Sequence, residues 1–358
     1  MNRIQLLAAA AALTCASSAF ADIKNVDIYG VVAFGLMSTE NKLGKRTDEV
    51  LNESRIGFRG SKDLGKFPGT KFIWQLETGF LGPNGLSAKT YESGTLGTRD
   101  TWAGLEGNFG KLRIGRLLTP YGETLDWPFA NGGVNPLVEA TSVPGGGSYV
   151  RVSDQLRWDS PKFGDFTVSA SFGRGDRNAE KDNDFIQRKS RSASIVGHYS
   201  IAGATLHAGY EYNRGRSAAN GDMEQVGSHS SNWLLAAQSP TFNGFSLYGA
   251  WLRGASDVKE SFKAGDVTYT PGDYDRDTWQ LALQWANADW VLKASHARND
   301  DLDGPVTDKG GHISAVQALY IVDPSLVVFG RYVKASNPAT TAGWWNKSRV
   351  LLGLEYAF

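Results

Sequence analysis

Cysteine is almost absent from this 358-residue chain, which carries a single one, Cys15. It lies in residues 1–21, where a basic start, a short apolar run and an A-x-A ending at Ala21 are typical of a cleaved secretory signal peptide. A lipoprotein anchor at Cys15 is disfavoured because Ala12 and Thr14 fit the lipoprotein cleavage box poorly. We expect a mature chain that begins at Asp22 and has no thiol, which excludes disulfides, thiolate metal sites and cysteine nucleophiles.

Long apolar runs are lacking too. After residue 21 no stretch of 18 apolar residues occurs, which excludes a transmembrane helix in that part of the chain. An excess of one charge is also missing, because 37 basic and 37 acidic side chains cancel. The chain therefore offers no net field that would favour nucleic acid as a partner.

Catalytic signatures are equally scarce. The five histidines are scattered along the sequence, and neither G-x-S-x-G nor H-E-x-x-H occurs; they are His198, His207, His229, His296 and His312. The glycine-rich 144–148 lacks the Lys-Ser/Thr that follows in a phosphate-binding loop. We therefore expect no enzyme activity, no metal and no cofactor.

What the chain does have is glycine, aromatic residues and short alternating segments. There are 42 glycines, 11 tryptophans and 13 tyrosines. Apolar side chains recur at every second position in segments such as VDIYGVVAFGLM, TKFIWQLET, FTVSASF, ATLHAGYEY, TWQLALQWA and the terminal RVLLGLEYAF. A period of two predicts β-strands.

Two environments suit such strands, a soluble sandwich and an outer-membrane barrel whose apolar faces meet lipid. Three features favour the barrel. Aromatics sit near the ends of the apolar faces, as Phe166 and Phe172 do; long charged side chains occupy the polar faces; and tight turns alternate with long polar loops. The predicted fold class is all-β, a 16-stranded antiparallel transmembrane β-barrel.

Sixteen strands are predicted, and an even number leaves both termini on the periplasmic side. Closure removes the unpaired edges that lipid could not satisfy, and sixteen strands leave room for an aqueous lumen. The predicted ranges are 25–38, 54–62, 69–80, 98–108, 110–117, 150–160, 165–174, 190–200, 203–213, 231–239, 244–254, 276–287, 289–298, 311–322, 325–335 and 347–358.

One connection, at about 117–149, is anomalous. It is rich in glycine and proline yet carries the apolar groups Leu117, Tyr121, Leu125, Trp127, Phe129 and Leu137. Loops of this length without a role are uncommon, and an exposed loop would not usually hold so many apolar side chains. The segment YGETLDWP predicts a helical turn ended by Pro128. We expect the connection to fold into the lumen and narrow it.

The order of several short motifs resembles the trimeric general porins of Gram-negative outer membranes. The motifs are DIYGVVAFG, SRIGFRGSKDLG, FIWQLETGF, RDTWAGLEGNFGKLRIGR with its long TPYGETLD loop, LRWDSPKFGDF and the terminal GLEYAF. The resemblance spans nearly the whole mature chain. It implies a homotrimeric channel in the bacterial outer membrane whose third external loop folds inside as the constriction.

The last strand, which ends at Tyr356 and Phe358, is similar to the signal that the outer-membrane assembly machinery reads in this family. An exposed final strand with a free edge suits recognition by strand addition. The alternative is an ordinary last strand that happens to end in phenylalanine.

Two groups of side chains are the candidates that govern transport. Parity places most of the wall arginines inward, with Arg99 less certain: Arg55, Arg59, Arg99, Arg113, Arg116, Arg151 and Arg157. The loop candidates are Tyr121, Glu123, Asp126, Trp127, Phe129 and Glu139. Opposed charges across a narrow, low-dielectric passage create a transverse field that selects ions. Alternatively, some of these arginines only anchor the loop through ion pairs.

Three functions remain open on the sequence: passive diffusion of ions and small hydrophilic solutes, a channel selective for aromatic or aliphatic carboxylates, and a structural barrel with a closed lumen. The expected partners are further copies of the chain, outer-membrane lipid and lipopolysaccharide, the assembly machinery and the permeating solutes; nucleic acid is not expected.

Overall fold

The computed structural model describes residues 26–41, 43–79, 96–126, 128–130, 143–144, 151–174, 191–214, 229–264, 267–336 and 347–358. The predicted signal peptide with Cys15 lies outside these residues, and so do Leu137 and the site candidates Trp127 and Glu139. In the described residues no helix is long and apolar enough to cross a membrane.

Strands dominate the described part of the chain. They are β1 (Val26–Glu40), β2 (Arg46–Asn52), β3 (Arg55–Asp63), β4 (Lys71–Gly79), β5 (Thr101–Gly107), β6 (Gly110–Leu118), β7 (Arg151–Asp159), β8 (Phe166–Gly173), β9 (Arg191–Ile201), β10 (Ala204–Arg214), β11 (His229–Gln238), β12 (Phe245–Val258), β13 (Phe262–Ala264), β14 (Val267–Tyr269), β15 (Gly272–Ala286), β16 (Trp290–Asn299), β17 (His312–Asp323), β18 (Leu326–Ser336) and β19 (Ser348–Ala357). The helix α1 spans Pro120–Asp126.

The strands close into one antiparallel barrel. Each wall strand pairs with its neighbours in sequence, and β1 closes the ring by pairing with β19 on one side and with both β2 and β3 on the other. Because β2 and β3 follow each other along β1, they form one wall strand interrupted only at residues 53–54. Ser54 fills the interruption, its Oγ accepting from Ala33 N at 3.0 Å. The predicted fold and the count of sixteen wall strands are confirmed.

Several boundaries differ from the prediction. The second wall strand begins at Arg46 rather than residue 54, β12 continues to Val258, and β15 begins at Gly272. The hairpin β13–β14 lies in a stretch predicted to be a loop. These extensions carry polar residues on both faces, so pairing holds them together without an apolar period that would mark them in the sequence.

The two faces of each strand have opposite character. In β19, Leu352 is 58% exposed while the adjacent Leu351 is 5% exposed, so even-numbered residues point outward. In β1 the outward positions are Ile28, Val32, Phe34 and Leu36, all exposed. The buried polar side chains Glu77, Gln155, Arg157, Gln280, Lys293 and Ser295 occupy inward positions. Apolar residues thus cover the outside and polar residues line the inside, as in membrane barrels.

Aromatic side chains form a row near each end of this apolar surface. One row lies beside the short turns and includes Phe245, Trp285, Trp290, Tyr320, Tyr356 and Phe358, with ring pairs such as Trp290–Tyr320 at 4.8 Å. The other lies beside the long loops and includes Tyr210, Trp233, Trp251 and Trp279. Two such rows are typical of the two interfaces of a bilayer.

Connection length separates the two ends of the barrel. At one end the strands are joined by short turns such as 108–109, 202–203 and 287–289; at the other, connections run as long as 119–150. In outer-membrane barrels the short turns face the periplasm and the long loops face outward. The connection 41–45 is short although it lies at the long-loop end, because β1 and β2 stay paired up to Glu40 and Arg46.

Candidate functional site

The described part of the connection between β6 and β7 begins with a capped helical turn. Thr119 accepts from Gly122 N at its Oγ1, at 3.0 Å, and Pro120 occupies the first helical position. A threonine cap followed by proline is a favoured helix start, because the side chain satisfies a free backbone donor and proline has none to lose. The predicted helical turn is confirmed, and Pro128 follows its end.

Apolar packing fixes this segment against the inner wall. Tyr121, Leu125 and Phe129 are fully buried. They join one cluster with inward side chains of β9, β11, β12 and β15, namely Val196, Leu234, Ala236, Tyr248, Ala250, Leu252 and Ala282. This explains why the connection is apolar: its hydrophobic side chains cover a wall region that would otherwise meet water.

Hydrogen bonds fasten the start of the segment to β9 and β10. The Thr119 hydroxyl donates to Glu211 Oε2 at 2.5 Å, and Tyr121 N donates to Ser194 Oγ at 3.0 Å. The Tyr121 hydroxyl reaches Trp233 O at 3.3 Å. Burial, with Glu211 nearby, raises the pKa of Tyr121 well above its usual value, so this hydroxyl stays neutral and keeps donating.

Lys293 on β16 fastens the end of the segment. Its ammonium donates to Pro128 O and, at 2.6 Å, to Ala130 O. It also lies 5.1 Å from the centroid of the Tyr248 ring, within cation–π range. Gln280 Nε2 donates to the intervening Phe129 O at 2.8 Å. Three consecutive loop carbonyls therefore bond to the barrel wall.

Arg157 on β7 links a carboxylate of helix α1 to a carboxylate of the wall. The guanidinium pairs with Glu123 of the helix and with Asp159 Oδ1 at 2.7 Å, and NH1 donates to Leu118 O at 3.1 Å. Asp159 also accepts from Arg113 NH2 at 2.5 Å. The result is a continuous chain of alternating charges, in which Arg157 is 5% exposed. Arg157 therefore holds the loop to the wall. This is the anchoring role that the sequence leaves open for some of the arginines.

Three further candidate arginines, Arg151, Arg116 and Arg99, also have hydrogen-bonding partners. Arg151 binds Asp100 with Nε and NH2 at 3.2 and 3.0 Å. Arg116 donates to Thr98 O at 3.0 Å and to Ser153 Oγ at 2.9 Å. Arg99, whose direction parity left open, donates to the inward-facing Glu77 at 2.5 Å.

Arg55 and Arg59 share the inward face of β3. Arg59 contacts Asp27 at 3.4 Å and lies 5.0 Å from the centroid of the Tyr29 ring. That ring covers Gly57, where a Cβ would come within 2.3 Å of Tyr29 Cζ, so any other residue there would displace the ring. Among the residues that the structure describes, Arg55 has no acidic partner.

The loop candidates are distributed over two surfaces. The Glu123 side chain is 56% exposed and Asp126 is partly exposed. Tyr121 and Phe129 are fully buried, so neither is open to a passing solute, and we interpret them as packing groups of the loop. In the described residues no three His, Cys, Asp or Glu side chains form a group suited to a metal ion.

Two features of the site are not evident from the sequence. The bonds of Lys293 to Pro128 and Ala130 cannot be predicted from its place in an alternating segment. The histidines were considered scattered, yet His198 and His207 are cross-strand partners whose Nδ1 atoms lie 2.7 Å apart, next to Phe129. The two-residue turn at 202–203 is the feature of the sequence that predicts this pair. A tight turn fixes the register of the strands on either side, and that register places His198 opposite His207.

Comparisons with known proteins agree on one family. A model described as Gram-negative porin matches residues 7–340. A chitoporin of Vibrio furnissii is 30% identical over 93% of this chain and 91% of that protein; the major outer membrane protein P.IB of Neisseria meningitidis is 29% identical over 59% and 60%. An anion-selective porin from Comamonas acidovorans shares the fold with a TM-score of 0.71 at 18% identity, covering 93% of this chain and 99% of that one.

Proposed function

The chain belongs to the Gram-negative porin family, and from that premise we propose that it forms a water-filled outer-membrane channel for passive diffusion of ions and small hydrophilic solutes. The observation that carries the proposal is the closed sixteen-stranded wall, apolar outside and polar inside. A barrel of this size encloses an aqueous lumen unless something fills it. Cleavage of residues 1–21 and assembly into a homotrimer complete the proposal.

The part of the loop packed on the inner wall, together with the facing arginines, is our proposed constriction. Glu123 and Asp126 are at least partly exposed on the loop, and Arg55, Arg59 and Arg151 lie on the strands of the wall, so in this proposal charges of both signs line the passage. Charges lining a narrow, low-dielectric passage act on ions more strongly than the same charges in water. Arg113 and Arg157, being tightly paired, serve mainly to hold the loop.

A channel that favours one class of solute is the second candidate. The relative named chitoporin supports selectivity in this family, and the wall arginines would favour organic carboxylates. The burial of Tyr121 and Phe129 removes two of the aromatic contacts that such a solute would need. Open diffusion therefore has the stronger support.

Planar-bilayer recording of the purified protein tests both candidates. We expect stepwise, ohmic conductance, with no block by millimolar benzoate or acetate. Replacing Arg55 and Arg151 together by glutamine should move the reversal potential in a salt gradient towards cations, because two positive charges are lost and Asp100 is left unpaired. Arg46→Gln, at the exposed β1–β2 hairpin, is the matched control. Absence of conductance would contradict the channel, an unchanged reversal potential would contradict the residue assignment, and block at low carboxylate concentration would favour the selective channel.

A further inference from the structure

One part of the outer surface of the barrel carries polar side chains instead of apolar ones. At the long-loop ends of β16, β17 and β18, two adjacent rows of outward positions are polar. The first row pairs His296 with Ser314 and Ser314 with Lys334; the second pairs Arg298 with His312 and His312 with Ser336. We call these six residues the outer polar patch.

The outer polar patch lies level with lipid-facing residues. On the neighbouring β15, Leu281 is the partner of His296 and Trp279 is the partner of Arg298, and both β15 side chains are 56% exposed. A charged side chain on the lipid face of a barrel is destabilising unless it lies near the interface or has a polar partner. Because Trp279 belongs to the aromatic row nearer the long loops, the patch lies at the depth of the headgroups, where a polar ligand can reach it.

The donors of the patch are already oriented. His296 Nδ1 lies 2.9 Å from Ser314 Oγ, and His312 Nδ1 lies 2.7 Å from Ser336 Oγ. The two rings are 5.3 Å apart. When the serine hydroxyl donates to Nδ1, the proton of the neutral imidazole is on Nε2, which is then a donor towards the outside.

The charge of the patch is not compensated within the described structure. The outward positions of β16, β17 and β18 carry no carboxylate, and Arg298 and Lys334 form no ion pair among the described residues. Three acidic groups around the patch have other partners: Asp277 binds Arg253 at 3.1 Å, Asp301 binds Lys309 at 3.0 Å, and Glu40 binds Lys347 at 3.0 Å. Asp300, two residues beyond Arg298, is exposed and forms no ion pair with Arg298 or Lys334 among the described residues.

We propose that the outer polar patch binds the phosphate of an anionic lipid headgroup in the outer leaflet. A guanidinium, an ammonium and two imidazole donors around one point match the several acceptor oxygens of a phosphate. Neutral headgroups would leave Arg298 and Lys334 without a counter-charge. The inference rests on the proposed outer-membrane location, but it does not require that the lumen conduct.

Lipid binding to the purified full chain tests this site. The protein is placed in nanodiscs of zwitterionic phosphatidylcholine that contain phosphatidic acid as the anionic phosphate probe, and its affinity for phosphatidic acid is compared with that of R298Q/K334Q. We expect the variant to bind phosphatidic acid about thirtyfold more weakly, since each basic residue near an anionic surface contributes a few-fold in affinity. R253Q is the matched control, because Arg253 also faces outward but is neutralised by Asp275 and Asp277.

Each outcome of this experiment supports or overturns the proposed lipid site. Unchanged affinity in R298Q/K334Q, or an equal loss in R253Q, would overturn the proposal. A changed oligomeric state with unchanged lipid binding would assign the patch to contact with a second copy, and displacement of the lipid by millimolar inorganic phosphate would point to free phosphate as the ligand. If R298Q/K334Q does not fold, H296Q/H312Q replaces it with the same expected direction. Intact conductance with no lipid selectivity refutes the patch alone, whereas loss of conductance in the wild type refutes the proposed channel.

Discussion

Replacing Lys293 with methionine is expected to convert a steady single-channel current into one that fluctuates between levels. Methionine keeps most of the side-chain volume but cannot donate to Pro128 O and Ala130 O, which lie in a region where Lys293 is only 4% exposed. Each buried carbonyl left without a donor costs about 1–3 kcal/mol. Among the described contacts of residues 128–130, the Gln280 bond and the buried Phe129 ring then remain, and we expect the segment to leave the wall intermittently.

The recording is made in a planar bilayer at low voltage, beside two comparisons. Lys309→Met removes an equal charge from an outer loop where the side chain is 81% exposed, and its current should be steady. Gln280→Leu removes the hydrogen bond to Phe129 O and should increase the fluctuation further when combined with K293M. A K293M current as quiet as that of the wild type would show that Lys293 does not hold the loop.

Deletion of Phe358 is expected to remove most of the folded protein from the outer membrane. Phe358 N donates to Gly30 O at 3.1 Å and Gly30 N donates to Phe358 O at 3.0 Å, so the last residue closes the seam between β1 and β19. Phe358 is 52% exposed, next to Tyr356, so its side chain is open to the recognition by the assembly machinery that the family resemblance implies. Both roles are lost in the deletion.

Phe358→Ala separates the two roles, because alanine keeps the backbone bonds and removes only the ring. Low yield of the heat-modifiable barrel in both variants indicates recognition of the aromatic side chain. Normal yield in the alanine variant but not in the deletion indicates that seam closure is what matters. Normal yield of folded protein in both would contradict either role.

The architecture was predictable because lipid imposes a strict rule on each strand. In β19 and β1 every second residue meets hydrocarbon. Apolar residues therefore occur at every second position of the sequence. The same rule failed where strands leave the membrane. Arg46–Asn52 pairs with β1, but residues 46–49 are all polar, so the order of this part comes from backbone bonds that leave no trace in the side-chain pattern.

The site was only partly predictable, for a different reason. The apolar content of the loop at 117–149 indicated that it packs on something, and Glu123 was recognised as a charge facing the wall. The partners were not recognised, because Lys293 and Ala130 are 163 residues apart in sequence. No local pattern encodes such a contact; it depends on the closed ring, which brings β16 within reach of the connection that follows β6.

Lipid accessibility along β19 tests the central claim most directly, namely that apolar faces point to hydrocarbon and polar faces enclose the lumen. The expected mature chain has no cysteine, so single cysteines at 350–356 can be spin-labelled without background. The account predicts high accessibility to lipid-dissolved oxygen at 350, 352, 354 and 356, and low accessibility at 351, 353 and 355. The opposite alternation, with Leu352 and Leu354 shielded from lipid, would contradict it.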